Sequence, residues 1–239
     1  MRRTLFLGWL ITACATAHAA SLQISQVMIE LRANENAYGI TLRNPGEQPL
    51  YGQVRVFRWD QSVDDDALTP TQDLMASPPI LQIAAQGEQQ VRLIRRDAQP
   101  VTAEQSYRIL IDEIPPPETA AINGVNIRLR YSVPVFVEPP GAPGQPILSW
   151  QVLRDDRGWL LRVSNTGSRR GQIGTVQLTT AAGKTYTVGK GLLGYALPGR
   201  TRQWKVDVDE GADMRGTLKL RAYVNALPLE ALVSIDPRL

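Results

Sequence analysis

Cysteine and histidine are almost missing from this sequence. Among 239 residues each occurs once, as Cys14 and His18, and both fall in a stretch that reads as a removable leader. Without them the mature chain has no internal disulfide framework, no Ser-His-Asp triad, no Cys/His nucleophile and no zinc or copper site built on imidazole or thiolate. Carboxylate and lysine chemistry survive that test. No Asp/Glu pair stands in a recognisable catalytic arrangement, however, so no enzyme is expected. A phosphate-binding glycine-rich loop is also lacking, and no cofactor is expected. An excess of one charge is absent: 26 Lys and Arg face 23 Asp and Glu, and removing Arg2 and Arg3 with the leader leaves 24 against 23. The arginines are dispersed, without the basic run or aromatic platform of nucleic-acid modules, so no nucleic acid is expected as a partner. Beyond the leader no apolar run reaches membrane-spanning length, and the mature chain is expected not to insert into a membrane.

The leader spans residues 1–19. Arg2 and Arg3 precede an apolar run from Leu5 to about Ala13, and Ala17-His18-Ala19 has the small-x-small form of a cleavage site. The apolar part is too short for a permanent span, which predicts a secretory signal cut after Ala19. Ile11-Thr12-Ala13-Cys14 is a rival, a loose lipoprotein box that would leave an acylated Cys14; the Ala-x-Ala just downstream is better placed.

What is present is alternation. SLQISQVMIEL, YGITLRN, QVRVFRW, QQVRLIRR and SYRILIDEI from Ser21 onward are short, rich in β-branched and aromatic residues, and separated by turn residues such as Asn44-Pro45-Gly46, Asp64-Asp65-Asp66, Ser77-Pro78-Pro79 and Gln86-Gly87. Residues 138–146, EPPGAPGQP, cannot continue a ladder, because proline lacks the amide donor and stiffens the backbone; they form a semi-rigid hinge. A second series follows: ILSWQVLRD, GWLLRVSN, IGTVQLTT, KTYTVG, RQWKVDVD, TLKLRAYV and LEALVSI. An all-β chain of two sandwiches is expected, with residues 20–140 as the first domain and 141–239 as the second.

Just before the hinge, NGVNIRLRYSVPVFVE places Val125, Ile127, Leu129, Tyr131, Val133, Val135 and Val137 on one face of a strand. That apolar stripe is longer than a half-buried strand needs. Either the strand is an ordinary central one, or its far end packs against something else.

The order of segments resembles the periplasmic pilus chaperones, the PapD-like family of two immunoglobulin-like domains in a boomerang arrangement. The resemblance rests on Ser77-Pro78-Pro79-Ile80 with the Gly87 turn and Val91-Arg92-Leu93, on Tyr107-Arg108-Ile109 leading into Glu113-Ile114-Pro115-Pro116, and on the alternating strand ending Phe136-Val137-Glu138-Pro139. It is specific over Ser21 to Pro140 and general thereafter. QVRVFRWDQ and YRILIDEIP look closer to the archaic branch, which serves Csu-type pili. The resemblance implies that the last strand of the first domain, G1, is lent to a pilus subunit whose own fold lacks a strand, until an outer-membrane usher takes the subunit over. Val125, Ile127 and Leu129 match the donor positions, and Tyr131 and Val133 continue the row toward the chaperone's own core. Three aliphatic side chains fully buried in a partner contribute on the order of 5–9 kcal/mol before ordering costs.

The match departs at one place. Relatives hold the subunit's C-terminal carboxylate with an Arg on the first strand and a Lys on G1; here those positions fall on Gln26 and Pro134. Arg108, on the strand that pairs with G1, is the expected substitute anchor, because a guanidinium binds a carboxylate in a fork of two hydrogen bonds; a solvated strand residue is its bland alternative. Arg128 and Arg130 lie on the opposite face from the donor row and are expected to meet solvent. Leu22, Ile24 and Val27 to Leu31 would pair with the subunit's other edge. Relatives often pair the glutamate matching Glu113 with a base at the end of G1; Glu138 stands at that place, leaving Arg95, Arg96 or Arg200 as substitutes. Trp59, Trp150, Trp159 and Trp204 are expected in cores or at the domain interface, and the Asp64 to Asp66 run is expected to be solvated. The competing class is a secreted two-domain adhesion or ligand-binding module that uses those tryptophans.

Overall fold

Alternation of period two governs the structure, a computed structural model that describes residues 22–97, 101–116, 127–209, 211 and 213–235. The leader, with Cys14 and His18, and Val125 of the donor row lie outside the described residues. Before the proline-rich segment there are ten strands: β1 (Gln23–Ile24), β2 (Ile29–Leu31), β3 (Ala37–Arg43), β4 (Leu50–Gln61), β5 (Asp66–Pro70), β6 (Leu74–Ser77), β7 (Ile80–Ile83), β8 (Glu88–Arg95), β9 (Gln105–Ile114) and β10 (Arg130–Val137). One sheet runs β1-β3-β8-β6; the facing sheet runs β2-β10-β9-β4-β5, with β7 also paired to β4. After that segment come β11 (Leu148–Asp155), β12 (Gly158–Asn165), β13 (Gly171–Thr179), β14 (Thr185–Ala196), β15 (Thr201–Val206), β16 (Leu218–Val224) and β17 (Leu227–Val233), in sheets β11-β12-β15 and β14-β13-β16-β17. The fold is therefore all-β, two sandwiches in sequence, and no helix occurs among the described residues.

Each sandwich has its own core. Leu31, Ile40, Leu42, Val91, Leu93, Ile109, Ile111 and Val135 fill the first, and Val152, Leu161, Val163, Val176, Leu178 and Leu220 the second, all fully buried. At about 1.5–3 kcal/mol for each large aliphatic side chain, these rows drive the folding of each half.

Three features depart from the alternation. The first segment is broken at Val27-Met28-Ile29 because the chain changes sheets there: β1 pairs antiparallel with β3, and β2 pairs parallel with β10, Val135 opposite Ile29. Strand β5 begins inside the Asp64 to Asp66 break; it is exposed at all five positions, so it carries no hydrophobic pattern, and its pairing to β4 defines it. Strands β6 and β7 lie either side of Ser77-Pro78-Pro79 and pair with different sheets.

Two buried asparagines close corresponding corners. The Asn44 amide donates to the carbonyls of Gln48 (2.7 Å) and Ala84 (3.1 Å), and its oxygen accepts from the Gly46 amide at 2.9 Å. Asn165 likewise donates to Arg169 and Ala196 (both 2.8 Å) and accepts from Ile147 (3.1 Å) and Gly167 (2.9 Å). A Cβ at residue 167 would stand 2.3 Å from the Gln145 carbonyl, so only glycine lets the end of the hinge lie against this turn. The turn then delivers Arg169 and Arg170 to the first sandwich.

Candidate functional site

The apolar row has its root in strand β10 and its arm in the residues just before the strand begins at Arg130. Val133 is 4% exposed in the first core and Tyr131 packs against that core from its rim. Just before the strand, at the next odd-numbered positions of the row, Ile127 is 78% exposed and Leu129 38% exposed. One row of equivalent side chains thus passes from the protein's own interior to solvent. Val133 is spent on its own sandwich, which narrows the part of the row offered outward to the residues before Tyr131.

The backbone of β10 is open along one side. β9 pairs with it over its whole length, Arg130 opposite Asp112 through Val137 opposite Gln105. The Glu113 amide donates to the Leu129 carbonyl at 3.0 Å, so odd-numbered residues turn their backbone groups toward β9 and even-numbered ones turn away. The Glu138 amide accordingly meets the Leu31 carbonyl on the other side, at 2.8 Å. β2 covers only Val135 to Val137 there. Among the described residues, no strand covers the outward groups of Arg130 and Ser132, while the Pro134 carbonyl faces the start of β2 at Ile29. The missing amide of Pro134 falls on this outward side, where the β9 ladder loses nothing. Leu22 lies inside the first core and Ile24 against it, and the first segment is divided between both sheets, β1 and β2 each standing as the outermost strand of its sheet.

Arg108 lies directly across the ladder from Pro134. Its guanidinium carbon is 3.8 Å from the centre of the Trp59 ring and 5.6 Å from that of Tyr195. Its side chain is 16% exposed, and Asp66, at 3.8 Å, is its one ionic partner among the described residues. Burial lowers its pKa from the usual arginine value, while cation–π contact with two rings offsets part of that cost. Gln26 is half-buried and Pro134 buried at the two positions where relatives carry cations. Arg130 pairs with Asp112, which also accepts from Arg55 at 2.6 Å, and Arg128 is exposed.

The aromatic floor comes from both sandwiches. Trp59, Phe136, Tyr195 and Leu197 form a buried cluster, with Trp59 and Tyr195 edge to face at 5.2 Å. Trp150, Trp159 and Trp204 pack against the second core.

Around this cluster runs a network that pattern reading missed. Arg170, 3% exposed, stacks on Phe136 at 3.7 Å and pairs with both Glu30 and Glu104; its amide donates to Glu104 at 2.9 Å. Burial pushes the Glu30 carboxyl up, and the hydrogen bond and charge of Arg170 outweigh it, leaving Glu30 below the usual value. The base that meets Glu138 is Arg169, at 2.9 Å; Arg200 turns to Asp60 and Arg96 to Gln72. Among the described residues no base meets Glu113, which accepts the Leu129 amide at 3.4 Å. Asp64 accepts from Gln203 at 2.7 Å and from Arg157 at 3.3 Å, so the acidic run is part of the domain contact and not merely solvated. The only hint in the sequence was two adjacent arginines after the Asn165 turn, and nothing there names their partners.

The comparisons with known proteins agree with this geometry. Residues 21–143, just over half the chain, match the family model described as pili and flagellar-assembly chaperone, PapD N-terminal domain. An uncharacterized fimbrial chaperone of Escherichia coli, YhcA, is 23% identical over 155 residues, which spans 63% of this chain and 64% of the relative's length. Among solved structures, the CsuC–CsuE chaperone–tip adhesion subunit complex from archaic Csu pili of Acinetobacter baumannii matches with TM-score 0.70 and 24% identity, covering 91% of this chain and all of the other. The Salmonella enterica SafA pilin–SafB chaperone complex matches with TM-score 0.62 and 18% identity, covering 90% and 98%. These likenesses carry the fold, and the family match carries the class, which is one of assembly chaperones and not of enzymes. The chain belongs to the pili and flagellar-assembly chaperone family.

Proposed function

We propose that this chain is a periplasmic chaperone of the archaic Csu-type branch, which caps an incomplete pilus subunit by donor-strand complementation and hands it to an outer-membrane usher. One observation carries the reading: Ile127 and Leu129 continue, in solvent, the same row that fills the first core as Val133. An exposed apolar stripe beside an unpaired strand edge is costly unless another chain covers it. A subunit lacking a strand supplies that cover, its core taking alternate side chains while its backbone completes the edge. Val125 extends the row in this reading, and Tyr131 and Val133 anchor it. Residues 20–140 hold the subunit, and residues 141–239 supply the other wall of the cleft.

Arg108 is the anchor for the subunit's C-terminal carboxylate. A mostly buried guanidinium with a single ion-pair contact outside hydrogen-bond range, set across the ladder from Pro134, has the donors to bind it as a fork. The test is co-expression with a fimbrial subunit from the same gene neighbourhood. Changing Ile127 and Leu129 together to Asp should leave a folded, exported chaperone that no longer co-purifies with subunit. Unchanged recovery would show that the row is not the donor.

A further inference from the structure

Asp66 approaches Arg108 without bonding to it. Its Oδ2 is 3.8 Å from the guanidinium, within ion-pair range and beyond hydrogen-bond range. Its other oxygen accepts from Gln61 Nε2 at 3.0 Å. Gln61 is 7% exposed and is itself held by the second sandwich: Nε2 also donates to the Tyr195 carbonyl at 3.0 Å, and Oε1 accepts from the Leu197 amide at 2.9 Å. Asp66 is therefore positioned by the domain interface, through Gln61, and not by the arginine it faces. Arg108 offers five N–H donors, and no hydrogen bond from it is present among the described residues.

We propose that Asp66 is a built-in placeholder for the carboxylate that Arg108 receives. This rests on the reading of Arg108 as the anchor. The placeholder compensates the buried guanidinium while the site is empty. Because it sits outside hydrogen-bond range, it leaves the planar fork free for an incoming carboxylate. That carboxylate must bind a cation already half neutralised, so Asp66 lowers affinity for any anion and discriminates against weak ones. The site then favours ligands that also bring apolar contacts along β10, and it lets them go more readily than a bare arginine would.

The probe is propionate, with propionamide as its uncharged counterpart, titrated into the mature full-length chain while the Arg108 Nε–H resonance is followed by NMR. Asp66→Asn keeps an oxygen for Gln61 and removes the charge. It should tighten propionate binding by on the order of fivefold, the scale of a half-exposed ion pair, and leave propionamide unaffected. Asp66→Thr, suited to a strand, repeats the test without the amide. Arg108→Gln assigns the resonance by its loss, and with its binding read instead from the indole N–H resonance of neighbouring Trp59 it should abolish the difference between the two probes. If Arg108→Gln leaves propionate binding unchanged, the anchor reading fails. If it weakens binding while both Asp66 variants bind propionate no more tightly than the parent, the anchor stands and the placeholder is overturned.

Discussion

Arg170 of the second sandwich stacks on Phe136 of the first, 3.7 Å from its ring centre, and reaches two glutamates of the first sandwich from there. Glu104 is wholly buried under it. Removing the cation strands a buried carboxylate, so Arg170→Met should destabilise the protein by about 3–5 kcal/mol in urea titration. Adding Glu104→Gln to that variant should recover part of the loss, since the uncompensated charge is gone.

Val133 within β10 and Leu129 just before it should respond oppositely to truncation. Val133→Ala opens a cavity in the first core and should cost roughly 1–3 kcal/mol. Leu129→Ala should cost well under half of that, yet it should lower the recovery of co-expressed subunit where Val133→Ala, once folded, does not. Urea midpoints and pull-down yields measure the two effects separately.

Arg108→Ala should lower subunit levels in periplasmic extracts without unfolding the chaperone. Arg108→Lys keeps the charge but loses the fork and the stacking on Trp59, so an intermediate level is expected. Wild-type levels in both variants would make Arg108 a structural residue only.

The domain contact should loosen in acid. The Arg200 hydrogen bond holds Asp60 below the usual carboxylate range, the Gln203 hydrogen bond does the same for Asp64, and Glu30 is lowered by Arg170 against the opposing effect of burial. A carboxyl whose folded pKa is depressed contributes stability above its unfolded value and loses it as pH falls through the folded one. Thermal midpoints should therefore decline as pH drops below about 4, and more steeply than in an Asp60→Asn, Glu30→Gln variant.

Much of the first domain is legible in the sequence because strand geometry is local. β3 and β8 announce themselves through alternate burial, β9 and β10, buried on both faces over several residues, through their β-branched and aromatic content, and the position of Arg108 beside Pro134 follows from the order and polarity of two such strands. β5 is illegible for the opposite reason: with all five residues exposed, it has no pattern to read. The partner of Glu138 was likewise hidden, since Arg169 comes from a turn in the other sandwich with no periodicity of its own.

By itself the sequence determined the all-β architecture and the apolar row from Tyr131 to Val137, since side chains two residues apart along a strand must share a face whatever surrounds them. Only the tertiary structure decided where that row leaves the core, which edge of β10 stays open, and which charges meet across the cleft. Those are properties of pairs, such as Glu30 with Arg170, brought together by the docking of two separately folded sandwiches. No rule of spacing along one chain encodes that meeting.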